Sequence, residues 1–307
     1  MNLDPLRQAL ARKGLTPAAF VPEARARRPE QVSIRLVRLM ERDGVDAIAL
    51  GPASPNPEPL AFLEGIQRSE VVGYAGSAPL VAASIAAAVC ERGERRLRTA
   101  VCRRRHLVLG RPSALAAAGE ALGERDLVTL PEDDPPHPMR DLLDAGRALD
   151  RERGALEIFV GDAYRARSDN WIVVDGSLSE SPRWANDPRM VAVSKSHSIL
   201  PFEGQNLERY LRLPVAHRSP IYEPETRSLA PVRAWGLRLW PWEGKDLLYG
   251  LVRVEVAPVN GTTEAADRIS RWIMAERAPV SAPDRRWDRL LYGIHRVELY
   301  LQTSGVG

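Results

Sequence analysis

The chain has 307 residues, of which 44% are hydrophobic and 27% are charged, and its formal net charge is +3. This composition is that of a globular protein with a sizeable core, and it excludes a disordered or fibrous chain. No apolar run reaches about eighteen residues, and the first residues lack the basic-then-apolar order of a signal peptide. We therefore expect a cytoplasmic protein that neither crosses a membrane nor is exported.

Residues 4–43 are predicted to be largely helical, because apolar positions such as Leu6, Leu10, Ile34 and Leu39 recur among Arg and Glu. The following stretch, residues 51–59, contains four prolines and cannot continue a helix. These features predict a helical N-terminal arm over residues 1–60 and one larger domain over residues 61–307.

Residues 71–77 begin like a strand, and the Ala-rich stretch 80–90 that follows fits either a helix or a strand. Arg then occupies seven of the fourteen positions from 92 to 105. Strand-like residues 97–109, with Arg at the polar positions, would place a basic stripe on one sheet face that could follow a nucleic-acid backbone. An edge strand protected by charge explains the same residues equally well.

Two apolar runs at the centre of the chain predict neighbouring strands of one sheet. Residues 171–174 lead into Asp175, Gly176 and Ser177, and residues 190–194 lead into Lys195. A carboxylate fixed at the end of a buried strand is what a metal-dependent phosphodiesterase of the ribonuclease H type needs. Asp-Gly after a strand is also a common turn, so the motif by itself leaves both interpretations open.

Residues 139–159 are predicted to form a helix whose acids, Asp144, Asp150, Glu152 and Glu157, all compete as partners for Asp175. Strands over residues 232–239 and 247–256 follow, and then a helix over residues 264–275, for which Thr262 or Thr263 is the expected cap. The last helix, residues 284–302, carries His295 beside an apolar stripe that includes Trp287.

In this order of elements the chain resembles the NurA family of DNA-repair nucleases. The match comprises residues 173–178 with the Asp-Gly-Ser-Leu block, residues 191–195 ending in Lys195, the strand pair 235–256, and residues 287–295. It extends over about residues 70–302. The resemblance implies an α/β fold with a ribonuclease H-like mixed sheet flanked by helices.

The resemblance also implies a site and a function. Asp175 and Glu157 would be metal ligands, His295 and Lys195 would lie near the scissile phosphate, and Mn²⁺ or Mg²⁺ would be the cofactor. Arg103, Arg104, Arg105 and Trp287 are the candidate DNA contacts. Family members act as homodimers on DNA ends in end resection and double-strand break repair, together with a hexameric HerA-type ATPase.

The chain departs from the family pattern at two positions. The first-strand Asp of the family falls on Ala75, and the C-terminal Tyr falls on Trp287. Asp43, Asp46 and Glu70 are alternative sources of the missing acid. Two hypotheses follow: a metal-dependent DNA nuclease, or an inactive scaffold that guides DNA in the same complex. A ribonuclease H-like enzyme acting on RNA is a third possibility.

Overall fold

The computed structural model describes residues 3–17, 33–34, 37–93, 96–225, 230–277 and 287–303. Its helices are α1 (Asp4–Arg12), α2 (Pro112–Ala118), α3 (Pro138–Arg165), α4 (Pro182–Ala185), α5 (Gly204–Leu211), α6 (Thr263–Ala275) and α7 (Tyr292–Thr303). Short 3₁₀ turns cover Gly119–Leu122, Pro258–Asn260 and Trp287–Arg289.

The strands are β1 (Thr16–Pro17), β2 (Ser33–Ile34), β3 (Val37–Leu39), β4 (Ile48–Ala49), β5 (Leu60–Ala75), β6 (Ala78–Gly93), β7 (Arg96–Gly110), β8 (Asp126–Thr129), β9 (Trp171–Asp175), β10 (Met190–Ser194), β11 (Ile199–Leu200), β12 (His217–Arg218), β13 (Tyr222–Pro224), β14 (Arg233–Arg238) and β15 (Leu251–Val256).

One large mixed sheet forms the centre of the molecule, in the order β3-β13-β14-β15-β10-β9-β5-β6-β7-β8. The long meander β5-β6-β7 is antiparallel, and β5, β9 and β10 run parallel to one another. A three-strand meander joined to parallel strands is the arrangement expected for a ribonuclease H-like sheet. The predicted α/β fold with flanking helices is therefore confirmed.

Strand β6 resolves the ambiguity of the Ala-rich stretch. It is buried on both faces, with α3 on one side and α7 among the elements on the other. Its small side chains let both helices approach the sheet closely, so packing overrides the low strand propensity of Ala. Neither periodicity nor composition can report such two-sided burial.

The sheet is covered on both faces by hydrophobic layers. On one face, Val160 and Tyr164 of α3 pack with Leu63 and Val174 of the strands. On the other face, α6 and α7 contribute a second core that includes Ile269, Ile294 and Val297. The cap of α6 is Thr262, whose Oγ1 accepts a hydrogen bond from the Ala265 amide at 3.3 Å. Thr262 is one of the two predicted caps.

The helical prediction for the N-terminal region is only partly correct. Helix α1 buries Leu6 and Leu10 as expected, but residues 33–34 and 37–39 are strands rather than helix. Strand β3 pairs with β13, and β2 pairs with β11, so long-range strand pairing determines their conformation. Residues 18–32 and 35–36 lie outside the described residues, and the division of domains at residue 60 stays a prediction.

An ion pair attaches this N-terminal region to the sheet. Glu41 accepts hydrogen bonds from Arg218 Nη1 at 2.7 Å, from Arg218 Nη2 at 2.9 Å and from the Ile221 amide at 3.0 Å. Burial by itself raises the pKa of Glu41, but these bonds lower it to about 2. The carboxylate is thus ionised in the folded protein down to strongly acidic pH.

The C-terminal helix is shorter than predicted. Helix α7 begins at Tyr292, after the 3₁₀ turn at Trp287–Arg289, while residues 278–286 lie outside the described residues. Throughout the described ranges, no helix combines the length and the apolar character that a membrane crossing needs.

Candidate active site

The register of two parallel strands places Glu64 beside Asp175. Leu63 of β5 pairs with Val174 of β9, and the ladder ends there, so the next residue on each strand is an acid. The residues two positions earlier on both strands belong to the core beneath α6 and α7, so the two acids lie on that same face. Glu64 is buried, whereas Asp175 is partly accessible.

Glu157 reaches the same point from the opposite face. It is a buried residue of α3, and its carboxyl group lies over the backbone of β5 at Gly65. A Cβ atom at position 65 would overlap this carboxyl group, so only Gly allows α3 to bring Glu157 this close to the strand. Burial raises the pKa of Glu157 to about 7, although the neighbouring Arg153 opposes this shift.

Two of the three carboxyl groups are paired with cations. Lys195, which follows β10, places Nζ 2.7 Å from Asp175 Oδ2. Arg153 is hydrogen-bonded to Glu157, one helical turn along α3. Burial and then the negative charge of Asp175 raise the pKa of Glu64 well above its ordinary value, and Lys195 acts in the opposite direction. The cluster is therefore compact, and two cations offset part of its negative charge.

The Asp-Gly-Ser-Leu block, residues 175–178, lies next to this cluster. Gly176 has a φ of 135°, a conformation that few residues other than Gly adopt. The turn directs Ser177 Oγ and the Leu178 amide at Glu255 Oε2, at 2.7 and 3.0 Å. Glu255 Oε1 in turn accepts a hydrogen bond from Arg253 Nε at 2.9 Å. The block is therefore a connected part of the site and more than a simple turn.

Open space lies on both sides of the cluster. Strand β5 pairs with β9 over residues 60–63 and with β1 at residues 73–74, and the edge between them has no strand partner among the described residues. A cleft of about 790 Å³ opens along this edge on the α7 side, and we call it the basic cleft. Its cationic lining residues are Arg68, Arg153, Lys195 and Arg289.

A second cavity of about 380 Å³ lies on the α3 side of the sheet, and we call it the inner pocket. Asp175, Gly176, Arg153 and Ser194 line both cavities. The two spaces consequently meet at the acidic cluster.

The carboxyl oxygens suit a hard divalent cation, since Mn²⁺ and Mg²⁺ prefer carboxylate ligands. Glu64 Oε2 is buried and has no hydrogen-bond partner among the described residues, which is the property of an oxygen available to a cation. The described ranges contain no group of three or more His, Cys, Asp or Glu side chains arranged to hold a metal ion. Lys195 contacts Asp175 and Arg153 contacts Glu157, so Glu64 is the acid of the cluster whose oxygen is left for a cation, and Asp175 is the acid beside it on the neighbouring strand.

The structure shows which of the four candidate acids of α3 lies in the cluster with Asp175. Asp144 pairs with Arg147 at 3.0 Å, Glu152 pairs with Arg105 at 2.6 Å, and Asp150 accepts a hydrogen bond from Gln67 at 3.1 Å. Glu157 is the helical acid whose charge is coupled to both Glu64 and Asp175.

His295 lies on α7, with Nδ1 3.9 Å from Glu298 Oε2. Glu298 and Gln302 of the same helix line the basic cleft. His295 is not among the cleft-lining residues, and its role near the phosphate stays a prediction.

The three arginines predicted to contact DNA lie on β7. Arg103 is exposed, whereas Arg105 is bound to Asp126 at 2.8 Å and to Glu152 at 2.6 Å. Arg104 is partly buried. The side chain of Trp287 lies outside the described residues. The assignment of these four residues to DNA binding stays a prediction.

The structure places Ala75, the position predicted to replace the first-strand acid, away from the acidic cluster. Ala75 is the last residue of β5, eleven positions from Glu64, or about 36 Å along an extended strand. The alternatives also lie elsewhere: Glu70 pairs with Arg7, Asp46 pairs with Arg209, and Asp43 is exposed. Glu64 was missed, although Leu63-Glu64-Gly65 repeats the signal of Asp175, an apolar run that ends in an acid and a glycine.

The structure is a mixed α/β fold with a central sheet flanked by helices, and its acidic cluster lies where two parallel strands diverge. The crystal structure of the NurA nuclease from Sulfolobus solfataricus is similar to this chain, with a TM-score of 0.52 and 9% sequence identity. The similarity covers 83% of this chain and 81% of the other. No protein-family model and no curated protein matches the sequence. The likeness to NurA is therefore one of fold.

Proposed function

We propose that this protein is a metal-dependent nuclease that cleaves DNA. The observation that carries the proposal is the meeting of Glu64, Asp175 and Glu157 at one point of a NurA-like sheet, beside an open cleft whose lining includes four cationic side chains as well as acids. A phosphodiester substrate needs both features, because carboxylates hold the metal and cations attract the phosphates.

Each group in the cluster has a distinct part in this proposal. Glu64 and Asp175 would hold Mn²⁺ or Mg²⁺, with Glu157 completing the ligand set from α3. When bound, the cation supplies an activated water and stabilises charge on the departing oxygen. Lys195 lines the basic cleft beside Asp175, where its ammonium group can bind a phosphate oxygen of the substrate.

The partners are proposed from the family resemblance. A HerA-type hexameric ATPase, a homodimer and a role in DNA end resection and break repair all come from that source. Co-purification of the chain with a candidate ATPase, followed by a comparison of cleavage with and without ATP, tests this part separately. Absence of a complex would reject the partner and leave the nuclease proposal intact.

Cleavage assays on labelled single-stranded DNA, duplex DNA and RNA, with Mn²⁺, Mg²⁺ or EDTA, test the activity. We expect metal-dependent cleavage of DNA, and a loss on the order of 10²-fold or more in Glu64→Gln, Asp175→Asn and Glu157→Gln. Glu152→Gln is the matched control, since this acid lies on the same helix but pairs with Arg105. It should cleave like the wild type.

Two results would reject the proposal. Cleavage that survives in Glu64→Gln and Asp175→Asn would show that the activity belongs to another site or to a contaminant. Absence of cleavage with every metal and substrate would favour the inactive scaffold. The scaffold hypothesis depended on Ala75, and it loses that support because Glu64 stands beside Asp175.

A further inference from the structure

The inner pocket is directly connected to the acidic cluster but has a different character from the basic cleft. Its apolar lining residues include Ile199, Leu200 and Val232, and its polar lining residues include Arg253 and Glu255. A concave pocket that combines apolar side chains with polar groups able to fix an orientation is the usual form of a small-molecule site. Its volume of about 380 Å³ suits one such group and excludes a duplex.

The polar side of this pocket is rigidly built. Glu255 is 3% exposed, and its two carboxylate oxygens are occupied by Ser177, the Leu178 amide and Arg253. Glu255 thereby binds Arg253 through Nε alone. Among the described residues, the terminal nitrogens of Arg253 have no hydrogen-bond partner, so they remain available as donors to a ligand.

The charges around Arg253 favour a neutral ligand over a phosphate. Glu255 already balances the guanidinium charge at 2.9 Å, and Glu157 and Glu180 also line the pocket. With Asp175, the pocket lining contains four carboxylates and two guanidinium groups, those of Arg153 and Arg253, so a phosphate placed here would meet a net negative charge. A nucleobase is neutral, has acceptor atoms on its edge that match guanidinium donors, and has apolar faces that match the walls.

We propose that the inner pocket binds the nucleobase of the nucleotide next to the scissile phosphate, with Arg253 as the hydrogen-bond donor to its edge. This inference rests on the proposed nuclease function, because it places the scissile phosphate at the cluster where pocket and cleft meet. The Ser177–Glu255–Arg253 chain of hydrogen bonds connects the base site to the residue after Gly176. Binding of the base would therefore position the phosphate relative to Asp175.

Calorimetric binding of mononucleotides to the full chain, in EDTA, tests the pocket without any cleavage. The probes are the four deoxynucleoside 5′-monophosphates, 2-deoxyribose 5-phosphate, which lacks a base, and inorganic phosphate. We expect at least one nucleotide to bind, and the base-free probe to bind at least tenfold more weakly. Arg253→Gln and Ile199→Trp should each weaken nucleotide binding at least tenfold, whereas Val259→Trp, at a site 68% exposed, should not change it.

Ile199→Trp fills the pocket from a partly buried rim position, so it remains informative if Arg253→Gln destabilises the fold. Equal binding of the nucleotide and the base-free probe would overturn the proposal and identify a phosphate site. No nucleotide binding to the wild type, or normal binding to folded Ile199→Trp, would also overturn it. If the protein binds nucleotides through the base but shows no cleavage in the assays above, the pocket proposal stands and the nuclease proposal is rejected. If it cleaves DNA but shows no base-dependent binding, the nuclease proposal stands and the pocket proposal is rejected.

Discussion

Replacing Glu157 by Gln tests the acidic cluster through stability, independently of any activity. In the folded protein burial raises the pKa of this carboxyl group from 4.5 to about 7. Between these two values the folded state holds a proton that the unfolded chain has lost. The free energy of unfolding therefore falls as the pH rises, and the contribution is fully present below pH 4.5.

The expected magnitude follows from the size of the shift. A change from 4.5 to about 7, at about 1.4 kcal/mol for each pKa unit, corresponds to about 3 kcal/mol. The side-chain amide of the Glu157→Gln variant stays neutral at every pH in both the folded and the unfolded state. The stability of the wild type relative to this variant should thus decrease by about 3 kcal/mol as the pH rises through 7.

Urea unfolding in EDTA, followed by tryptophan fluorescence at half-unit steps from pH 4.5 to 8, measures this difference. The urea dependence should be the same for both proteins, which shows that they expose the same surface on unfolding. Parallel pH profiles for the wild type and Glu157→Gln would refute the buried location of Glu157 in the cluster.

Three further predictions concern the surroundings of the cluster. Gly65→Ala should leave the protein folded but displace the Glu157 carboxyl group and reduce cleavage by about 10²-fold. The control is Gly93→Ala, at a strand glycine with open space around it, which should cleave normally. Equal rates for the two variants would contradict the close approach of Glu157 to the backbone at Gly65. Lys195→Met should lower the free energy of unfolding by about 2 kcal/mol at pH 8, because Asp175 loses its cation at 2.7 Å; an unchanged urea midpoint would rule the ion pair out. Glu41→Gln should lower the free energy of unfolding by about 3 kcal/mol, a contribution that the wild type has above pH 4.5 and loses as the pH falls towards 2. The test is whether the difference in free energy of unfolding between the two proteins disappears at acidic pH.

Local patterns in the sequence predicted the central elements of the fold. The β-branched runs before Asp175 and Lys195 form neighbouring parallel strands, because such residues suit a sheet that is buried on both faces. The helix that carries Glu157 and the strand pair before Gly261 were also predicted, since their apolar periodicity is long and regular.

The parts that the sequence did not predict depend on distant contacts. Strand β3 pairs with a segment far along the chain, as the hydrogen bond between Arg38 and Glu223 at 2.9 Å shows, and local periodicity contains no information about such pairing. Glu64 was missed for the same reason, because only the register of β5 against β9 reveals that it lies beside Asp175.

Because Lys195 and Arg153 already offset part of the negative charge at the cluster, we expect the chain to fold without the proposed cation. The apoprotein is expected to be a stable species that can be stripped with a chelator and reloaded without refolding. Its thermal denaturation temperature would then change little on stripping, unlike that of a protein whose metal is part of the scaffold.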